Sequence, residues 1–476
     1  MRVTPFAHGF VATLLFSCLI VFVVSADATE AAGWKAGTAV VNVTPTEPMW
    51  MAGYASRTKP SEGTALDLFC KAAALEDEHG ARVVIVTCDL IGIPRDLRNS
   101  LEQLVAEKYK LAPERLLLNA SHTHCGPEFR LSKRDALPSF GDKEKQAAAY
   151  GERLREQLLK LVGDALADLK PAQLTFVRAR CGFAMNRRTP SGDGYKNNPW
   201  SEGPVDQEVP VLKIAGADGK LRAVLFGYAC HNTTLSFYQF CGDYAGYAQQ
   251  YLEEKHPGVT AHFVMGCGGD QNPYPRGELE LARHHGKTLG IAVEAALLSS
   301  PQMELKGSLG ASLVQAKLDF APPPPKDILE RQTKSPNKYE AQHAQRLLDE
   351  LAATGTIATT YDAPVQALQF GDALTLVAFP GETVVDFSLR AKRDFAAGKT
   401  AVWVAGYSND VFAYIPSKRV LLEGGYEAGG AMLFGRFPGP FSVDVEERIV
   451  GAASQAVKAA RDAVTAANTA GPTRAK

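Results

Sequence analysis

Two histidines, His122 and His124, lie one residue apart where an apolar segment of the chain ends. Residues 116–118 are three leucines, and small polar residues, the two histidines and a Gly-Pro pair follow by residue 127. We interpret the segment as a strand whose carboxyl end delivers imidazoles into a crevice, where open α/β sheets bind ligands. Residues i and i+2 of an extended chain share one face, so both rings can point into one pocket. Because His-x-His pairs also occur by chance, other residues must support a metal or catalytic site there.

Other apolar segments end in the same way, at a residue that can bind a metal ion or transfer a proton. These residues are Asp89, His231, Asp270, Glu382 and, at the end of the segment 409–414, Tyr414. A mixed His, Glu and Tyr set without a four-cysteine pattern favours a catalytic zinc site with one position open for water. Zinc lowers the pKa of bound water to roughly 7 and polarises a carbonyl group, as amide hydrolysis requires.

Strands must hold these side chains in place. The sequence predicts an α/β fold with a large mixed sheet flanked by helices. The metal site is expected at the carboxyl ends of the strands. Segments 81–90 and 116–120 are predicted strands joined by a helix, a βαβ unit whose strands are parallel. The predicted helices cover 95–109, 143–169, 243–254, 278–299, 337–353 and 445–466. Asp243 is the predicted N-cap of its helix. The segment 183–203, rich in Arg, Asn, Gly and Pro, is predicted as a loop.

The first 28 residues have the pattern of a cleaved signal peptide. Arg2 supplies the positive start, 10–24 is a short apolar core, and 26–28 reads Ala-Asp-Ala, an A-x-A cleavage pattern. A membrane anchor is the alternative, but the apolar core is shorter than the ~20 residues that a spanning helix needs. No later apolar run is long enough to span a bilayer. The sequence therefore predicts a secreted or periplasmic protein. Peripheral contact with a membrane surface is compatible with this location.

Composition supports an ordinary globular protein. The chain has 476 residues, 46% hydrophobic and 22% charged, with a net charge of -1. That balance gives no support to a nucleic-acid binder, which would carry a basic patch. Of the eight cysteines, Cys18 lies in the predicted signal peptide, and no C-x-x-C pair occurs. A cysteine-type zinc site or a tight disulfide framework is therefore not indicated, although one or two disulfides are compatible with export.

An ordered set of short motifs across residues 35–450 resembles the neutral/alkaline (non-lysosomal) ceramidases. The motifs are Gly-Thr-Ala at 37–39, Ala-Gly-Tyr at 52–54, Ser-His-Thr-His-Cys-Gly-Pro at 121–127, Ala-Cys-His at 229–231, Gly-Asp at 242–243 and 269–270, Pro-Gly-Glu at 380–382, and Tyr-Ile at 414–415. These ceramidases are zinc amidases that cleave the N-acyl bond of ceramide to give sphingosine and a fatty acid. Together with the sequence patterns, the resemblance divides the chain into a predicted signal peptide at 1–28, a ceramidase-like catalytic domain at 29–466 with an insertion at 320–360, and a disordered tail at 467–476.

The resemblance also implies a role for each site residue. The zinc ligands it implies are His122, His231, Glu382 and Tyr414. His124 would donate a proton or orient the site, Arg187 would contact the substrate, and Asp270 would be a catalytic carboxylate of the glycine loop. Structural alternatives exist for several of them. His124 could instead hydrogen-bond to a ligand residue, Glu382 could cap a helix, and Tyr414 could pack as core. Asp89, Asp243 and Asp270 could each stabilise a loop.

Two departures from the family pattern open alternatives. The family places a serine in the glycine loop before Gly-Asp, and Gly266 occupies the matching position, with Cys267 beside it. We favour attack by zinc-bound water, in which case the glycine loop positions the substrate and the serine is dispensable. Cys267 could instead be a nucleophile, but the sequence identifies no histidine partner for it. The C-terminal immunoglobulin-like domain is expected to be absent. The expected substrate is a small lipid-like amide; a zinc hydrolase of a non-sphingolipid amide or ester, and an inactive homologue that binds lipid or glycan, are the alternatives.

Overall fold

The computed structural model describes residues 33–130, 144–435 and 437–470, together with residues 1, 2 and 4. The described residues from Gly33 onward form one compact unit. The predicted signal peptide at 1–28 and the end of the predicted tail, 471–476, lie almost wholly outside the described residues. Among the described residues, no helix has the length and apolar character needed to cross a membrane.

Strands and helices alternate along the described part of the chain. Its strands are β1 (Trp34–Asn42), β2 (Phe69–Glu76), β3 (Arg82–Cys88), β4 (Leu116–Ala120), β5 (Lys170–Arg180), β6 (Ala184–Ser191), β7 (Gly194–Trp200), β8 (Glu208–Gly216), β9 (Leu221–Tyr228), β10 (Thr260–Met265), β11 (Gln271–Pro273), β12 (Met303–Leu305), β13 (Leu309–Asp319), β14 (Thr360–Phe370), β15 (Leu374–Ala378), β16 (Glu382–Thr383), β17 (Ala401–Ala405) and β18 (Tyr414–Ile415). Its helices are α1 (Arg95–Tyr109), α2 (Glu144–Ala167), α3 (Asp243–Lys255), α4 (Leu279–Leu298), α5 (Lys326–Gln332), α6 (Lys338–Thr354), α7 (Val385–Asp394), α8 (Lys418–Glu423) and α9 (Val445–Ala470).

The larger sheet of the described chain is mixed, which confirms the predicted α/β class. Its strands follow the order β10-β9-β8-β5-β1-β2-β3-β4, and β12 pairs with β5. β3 and β4 are parallel and are joined by α1, as the βαβ prediction requires. β9 and β10 are parallel at the other edge. Both pairs are almost wholly buried, as expected of parallel strands covered on both faces.

The two edges of this sheet meet through the side chain of Asn119 in β4. Its Oδ1 accepts a hydrogen bond from Met265 N in β10 at 2.8 Å, and its Nδ2 donates to Gly406 O at 2.8 Å. Gly406 N, just after β17, donates to Met265 O at 2.9 Å. The Asn119 side-chain amide thus makes hydrogen bonds to backbone groups that have no neighbouring strand to pair with. The carboxyl ends of β4, β10 and β17 are brought together by these bonds.

A second sheet has the strand order β13-β14-β15-β17 and packs against α9. β15 and β17 are parallel, and α7 lies between them in the chain. Ile449, Ala453 and Ala456 of α9 belong to the same buried cluster as Val365 and Ala367 of β14. Small residues on the helix allow close packing, and the sheet holds the carboxyl end of β15 toward the larger sheet.

The segment 183–203 was predicted as a loop, and this prediction is wrong. The segment contains the hairpin β6–β7, and β6 also pairs with β11. The prediction failed because the strands carry polar side chains without apolar alternation. Asn186, Arg187 and Arg188 are all buried, and their partners come from distant parts of the chain. A polar strand of this kind carries no period-two hydrophobic signal.

Two helix boundaries also differ from prediction. Gly242, not Asp243, is the N-cap of α3, and Asp243 has φ 53°. Its carboxylate accepts hydrogen bonds from Leu235 N at 2.9 Å and Tyr244 N at 2.6 Å, so it stabilises the preceding loop as well as the helix start. The last helix runs to Ala470, so the predicted tail at 467–476 begins inside it. In the 320–360 region the helix predicted at 337–353 is α6, capped by Asn337.

Candidate metal centre

Three imidazoles converge beyond the carboxyl ends of β4 and β9. His122, His124 and His231 each offer one nitrogen, and these atoms all lie within 4.8 Å of one another. The Nε2 atoms of His122 and His124 are 3.2 Å apart. The His122 backbone has φ 63°, a left-handed conformation that non-glycine residues seldom adopt and that clusters at functional sites. This turn directs the His122 ring into the group.

Backbone carbonyls set the proton positions on two of these rings. His122 Nδ1 lies 2.6 Å from Ile91 O, and His231 Nδ1 lies 2.6 Å from Gly268 O. A carbonyl oxygen only accepts hydrogen bonds, so each Nδ1 carries a proton and each Nε2 is left with its lone pair. Metal-binding histidines use this arrangement, in which a second hydrogen bond fixes the tautomer and the ring orientation.

A carboxylate and a phenol complete the group. Glu382 and Tyr414 are opposite each other in the short parallel pair β16–β18. Glu382 Oε2 lies 3.1 Å from His122 Nε2 and 3.4 Å from His231 Nε2, and the Tyr414 hydroxyl lies 3.1 Å from His231 Nε2. Burial would raise the pKa of Glu382, but His122 and His231 hold it well below its usual range.

These donors fit a zinc ion. A lone pair that faces a carboxylate oxygen at 3.1 Å needs a positive centre between the two atoms, which a proton on His122 Nε2 or a metal ion can supply. Glu382 Oε2 and His124 Nδ1 are buried and lack hydrogen-bond partners among the described residues. Nitrogen and oxygen donors of imidazole, carboxylate and phenol are ligands that zinc accepts. Burial, followed by His122 and His231, lowers the pKa of His124 well below its ordinary value.

Arg187 lies behind Tyr414, in contact with the phenol. Its Nη2 donates to the Tyr414 hydroxyl at 3.0 Å, its Nε to Glu427 at 2.8 Å and its Nη1 to Asn272 at 3.2 Å. It is absent from the described residues that line the cavity, so the structure places its guanidinium on a ligand candidate rather than at the expected substrate contact. Burial raises the pKa of Tyr414, and the charge of Arg187 opposes that rise.

Asp270 is not brought into the group of imidazoles. Its Oδ1 accepts a hydrogen bond from Val385 N, the first residue of α7, at 2.8 Å, and its Oδ2 accepts one from Asn186 at 3.0 Å. Burial raises its pKa to about 6. These contacts join the glycine loop to α7 and match the alternative of a loop-stabilising carboxylate. Asp89 has similar contacts, with Phe69 N and the Gln249 side chain.

The glycine loop serves the site through its backbone. Besides the Gly268 carbonyl that orients His231, the loop packs so closely that a Cβ on Gly269 would lie 2.6 Å from Glu382 O. A Cβ on Gly266 would lie 2.9 Å from Ala229 Cβ, so a serine there would require the backbone to shift. Burial raises the pKa of Cys267 to about 12, which is opposite to what a nucleophilic thiol needs.

A cavity lies next to the candidate metal ligands. Its floor includes His122, His124, Glu382 and Tyr414. Much of the remaining wall is apolar or aromatic: Met51, Tyr54, Ile91, Val411, Phe412, Tyr426, Met432, Phe434 and Phe437. Two charged residues, Glu128 and Arg130, also line it.

Several residues of this site had no predicted role. Tyr407 packs its ring 4.5 Å from that of His122, and Gly53 approaches so closely that a Cβ would lie 2.4 Å from the His124 ring. Glu128 and Arg130 follow the histidine pair by a few positions, which is the one local signal that could have identified them. The cavity residues Met432, Phe434 and Phe437 carried no such signal.

The sequence and the fold of the chain are similar to those of known proteins. The sequence model of the neutral/alkaline non-lysosomal ceramidases, N-terminal, matches residues 34–274. The neutral ceramidase of Pseudomonas aeruginosa is 23% identical over 277 residues, which are 55% of this chain and 40% of that protein. The chain thus matches less than half the length of this relative.

Solved structures share the fold. The crystal structure of neutral ceramidase from Pseudomonas aeruginosa has a TM-score of 0.71 at 19% identity, covering 91% of this chain and 75% of that one. A ceramidase complexed with C2 has a TM-score of 0.70 at the same identity and coverage. With half of its length matched by the family's own sequence model, the chain belongs to the neutral/alkaline non-lysosomal ceramidase family.

Proposed function

We propose that this chain is a zinc-dependent amidohydrolase that cleaves the N-acyl amide of ceramide or a similar lipid. The observation that carries the proposal is the convergence of three imidazoles, a carboxylate and a phenol next to a cavity with many apolar and aromatic wall residues. Family membership supports the reaction class. The apolar wall supports a lipid substrate, because hydrocarbon chains leave water at a gain of roughly 25 cal/mol per Å².

In this proposal His122, His231, Glu382 and Tyr414 hold the metal. Bound there, zinc supplies a Lewis acid for the amide carbonyl and lowers the pKa of a water molecule. Water adds to the carbonyl carbon, the carbon–nitrogen bond breaks, and the leaving nitrogen takes a proton. The products are a fatty acid and an amine, and atoms and charge balance.

His124 is the proposed proton carrier. Its ring lies beside that of His122, its Nδ1 has no described partner, and it lines the cavity. The lowered pKa of His124 keeps the ring neutral before reaction, so it can accept a proton from water and pass it to the leaving amine. Arg187 keeps the Tyr414 oxygen directed toward His231.

The test combines metal content with turnover. Mature wild-type protein should contain about one zinc per chain by mass spectrometry and hydrolyse a short-chain fluorescent ceramide. The variant His231→Ala should lose both, while His284→Ala, which alters an exposed histidine of α4, should keep both. Wild type without zinc after reconstitution would overturn the metal mechanism. Zinc without turnover of ceramide, other amides or esters would favour the inactive lipid-binding homologue.

Export is part of the proposal. The signal-peptide pattern at 1–28 supports cleavage near residue 28 and a secreted or periplasmic location. Mass spectrometry of protein recovered outside the cytoplasm should give a chain lacking these residues. Retention of the full segment in a membrane fraction would favour the anchor instead.

A further inference from the structure

A buried ion pair lines the cavity beside the proposed metal ligands. Glu128 and Arg130 are 2% and 8% exposed. Arg130 Nε donates to Glu128 Oε1 at 2.8 Å, and Nη2 donates to Oε2 at 2.5 Å. Apolar side chains of similar size usually stabilise a protein at least as well as a buried ion pair. Charges in a cavity suited to hydrocarbon therefore point to recognition of a polar group.

The hydrogen bonds within the pair use only part of the Arg130 guanidinium. Both oxygens of Glu128 accept from Arg130, and Oε1 also accepts from Arg130 N at 3.0 Å. Arg130 uses Nε and Nη2 in this fork, whereas Nη1 has no partner among the described residues. Arg130 lines the cavity, so its unused donor edge is available to a ligand. Glu128 fixes the plane of the guanidinium by two parallel hydrogen bonds.

The pair is held at a fixed place relative to the histidines. Glu128 N donates to Trp50 O at 2.7 Å, and Ala52 N donates to Gly126 O at 3.0 Å. Burial would lower the pKa of Arg130, but the carboxylates of Glu128 and then Glu382 raise it. Arg130 lines the same cavity as the proposed ligands Glu382 and Tyr414, so a group bound to the guanidinium shares that cavity with the scissile amide.

We propose that Arg130, oriented by Glu128, binds an acidic group on the amine half of the substrate, so that N-acyl amino-acid lipids are preferred over lipids with a neutral headgroup. The inference rests on the proposed amide hydrolysis. An acyl chain is hydrocarbon next to its carbonyl and suits the apolar wall. The amine half can carry a carboxylate two bonds from the amide nitrogen, where the guanidinium can reach it. Guanidinium donors match carboxylate oxygens in geometry and charge.

The test uses two amides that differ only in this group. N-dodecanoylserine carries a carboxylate where N-dodecanoylserinol carries a hydroxymethyl group. Zinc-loaded wild type should have a kcat/KM about 10- to 100-fold higher for the acid, the range expected of a charged hydrogen bond. In Arg130→Gln and in the neutral double variant Glu128→Gln/Arg130→Gln, the ratio should fall to about one, mainly through KM for the acid. Arg178→Gln, at an exposed arginine of β5, should keep the wild-type ratio.

The ratio of two substrates in one preparation does not depend on the folded fraction, so partial misfolding cannot imitate the result. Equal or better hydrolysis of the serinol amide by wild type, with an unchanged ratio in the variants, would overturn this inference and leave the proposed function standing. Calorimetric binding of both amides tests the opposite case, in which the protein does not hydrolyse either amide. If neither is hydrolysed but the acid binds more tightly only with Arg130 present, the subsite is supported and the proposed function is not; equal binding would overturn both.

Discussion

The two halves of the site are held in different ways. His122 and His231 follow long buried strands of the larger sheet, and each Nδ1 is fixed by a backbone carbonyl. Glu382 and Tyr414 lie on a two-residue strand pair, and the phenol is held by the side chain of Arg187. Backbone positions are determined by the fold, whereas a side-chain contact can be removed by one substitution. We therefore expect the histidine half to decide whether metal binds, and the other half to adjust how tightly.

The largest effect should come from the histidine half. His122→Ala removes a nitrogen whose tautomer is fixed for metal binding. We expect loss of stoichiometric zinc and a fall in kcat/KM of at least about 1,000-fold. Mass spectrometry of the metal and hydrolysis of an amide substrate measure the two losses. Normal zinc content in this variant would show that the carboxylate and phenol suffice, and would reverse the comparison.

Gly53→Ala tests whether the position of His124 depends on packing. The added Cβ would lie 2.4 Å from the His124 ring, at φ 93°. Crowding and backbone strain together should lower the free energy of unfolding by about 2 to 4 kcal/mol, and activity should fall while zinc remains. Gly80→Ala has a similar φ of 81° but nothing within 4 Å, and should cost only about 1 kcal/mol. Equal losses in urea unfolding would mean that the ring moves aside without cost.

The carboxylate and phenol half is tested by a double-mutant cycle. Tyr414→Phe, which removes a proposed ligand oxygen, and Arg187→Gln, which removes the residue that supports it, should each weaken zinc binding by about 10- to 100-fold. Because Arg187 acts through the Tyr414 hydroxyl at 3.0 Å, the double variant should be little weaker than either single one. Competition with a chelator measures the affinities. Additive losses would mean that Arg187 acts through other contacts.

The histidine half was also the part that sequence patterns could predict. Strands β3, β4, β9 and β10 are continuous apolar runs, and their ends identify His122 and His231 as site candidates. Glu382 and Tyr414 also follow apolar segments, but they lie on a pair too short for any periodicity, and their roles as ligands were proposed through family resemblance. No local pattern predicts that β4 and β10, at opposite edges of the sheet, meet through Asn119.

The hairpin of residues 184–200 was missed for a related reason. Arg187 and Arg188 are buried next to Glu427, which lies about 240 positions later and pairs with both. A sequence pattern records local spacing, and a buried polar strand has no signal until its distant partner is known. The same limit applies to the cavity wall formed by Met432, Phe434 and Phe437, which comes from a separate part of the chain.

Both halves include buried carboxylates with raised pKa values, which predict a pH dependence of stability. Burial raises the pKa of Asp243 in the histidine half and of Asp270 in the other half to about 6. A carboxyl whose folded pKa lies above its unfolded value binds its proton more tightly when folded. Its contribution to stability is therefore greatest below about pH 4 and is lost as pH rises to about 6, by about 1.4 kcal/mol per pH unit.

Asp243→Asn and Asp270→Asn remove this dependence one half at a time. In urea unfolding of metal-free protein, wild type should lose stability relative to either variant as pH rises from 4 to 6. Asp270→Asn should also lower zinc affinity slightly, because Asp270 holds the start of α7 next to Glu382, whereas Asp243→Asn should not. Parallel stability curves for a variant and wild type would mean that its carboxyl has an ordinary pKa in the folded protein. A loss of zinc affinity in Asp243→Asn alone would place the weaker support in the histidine half.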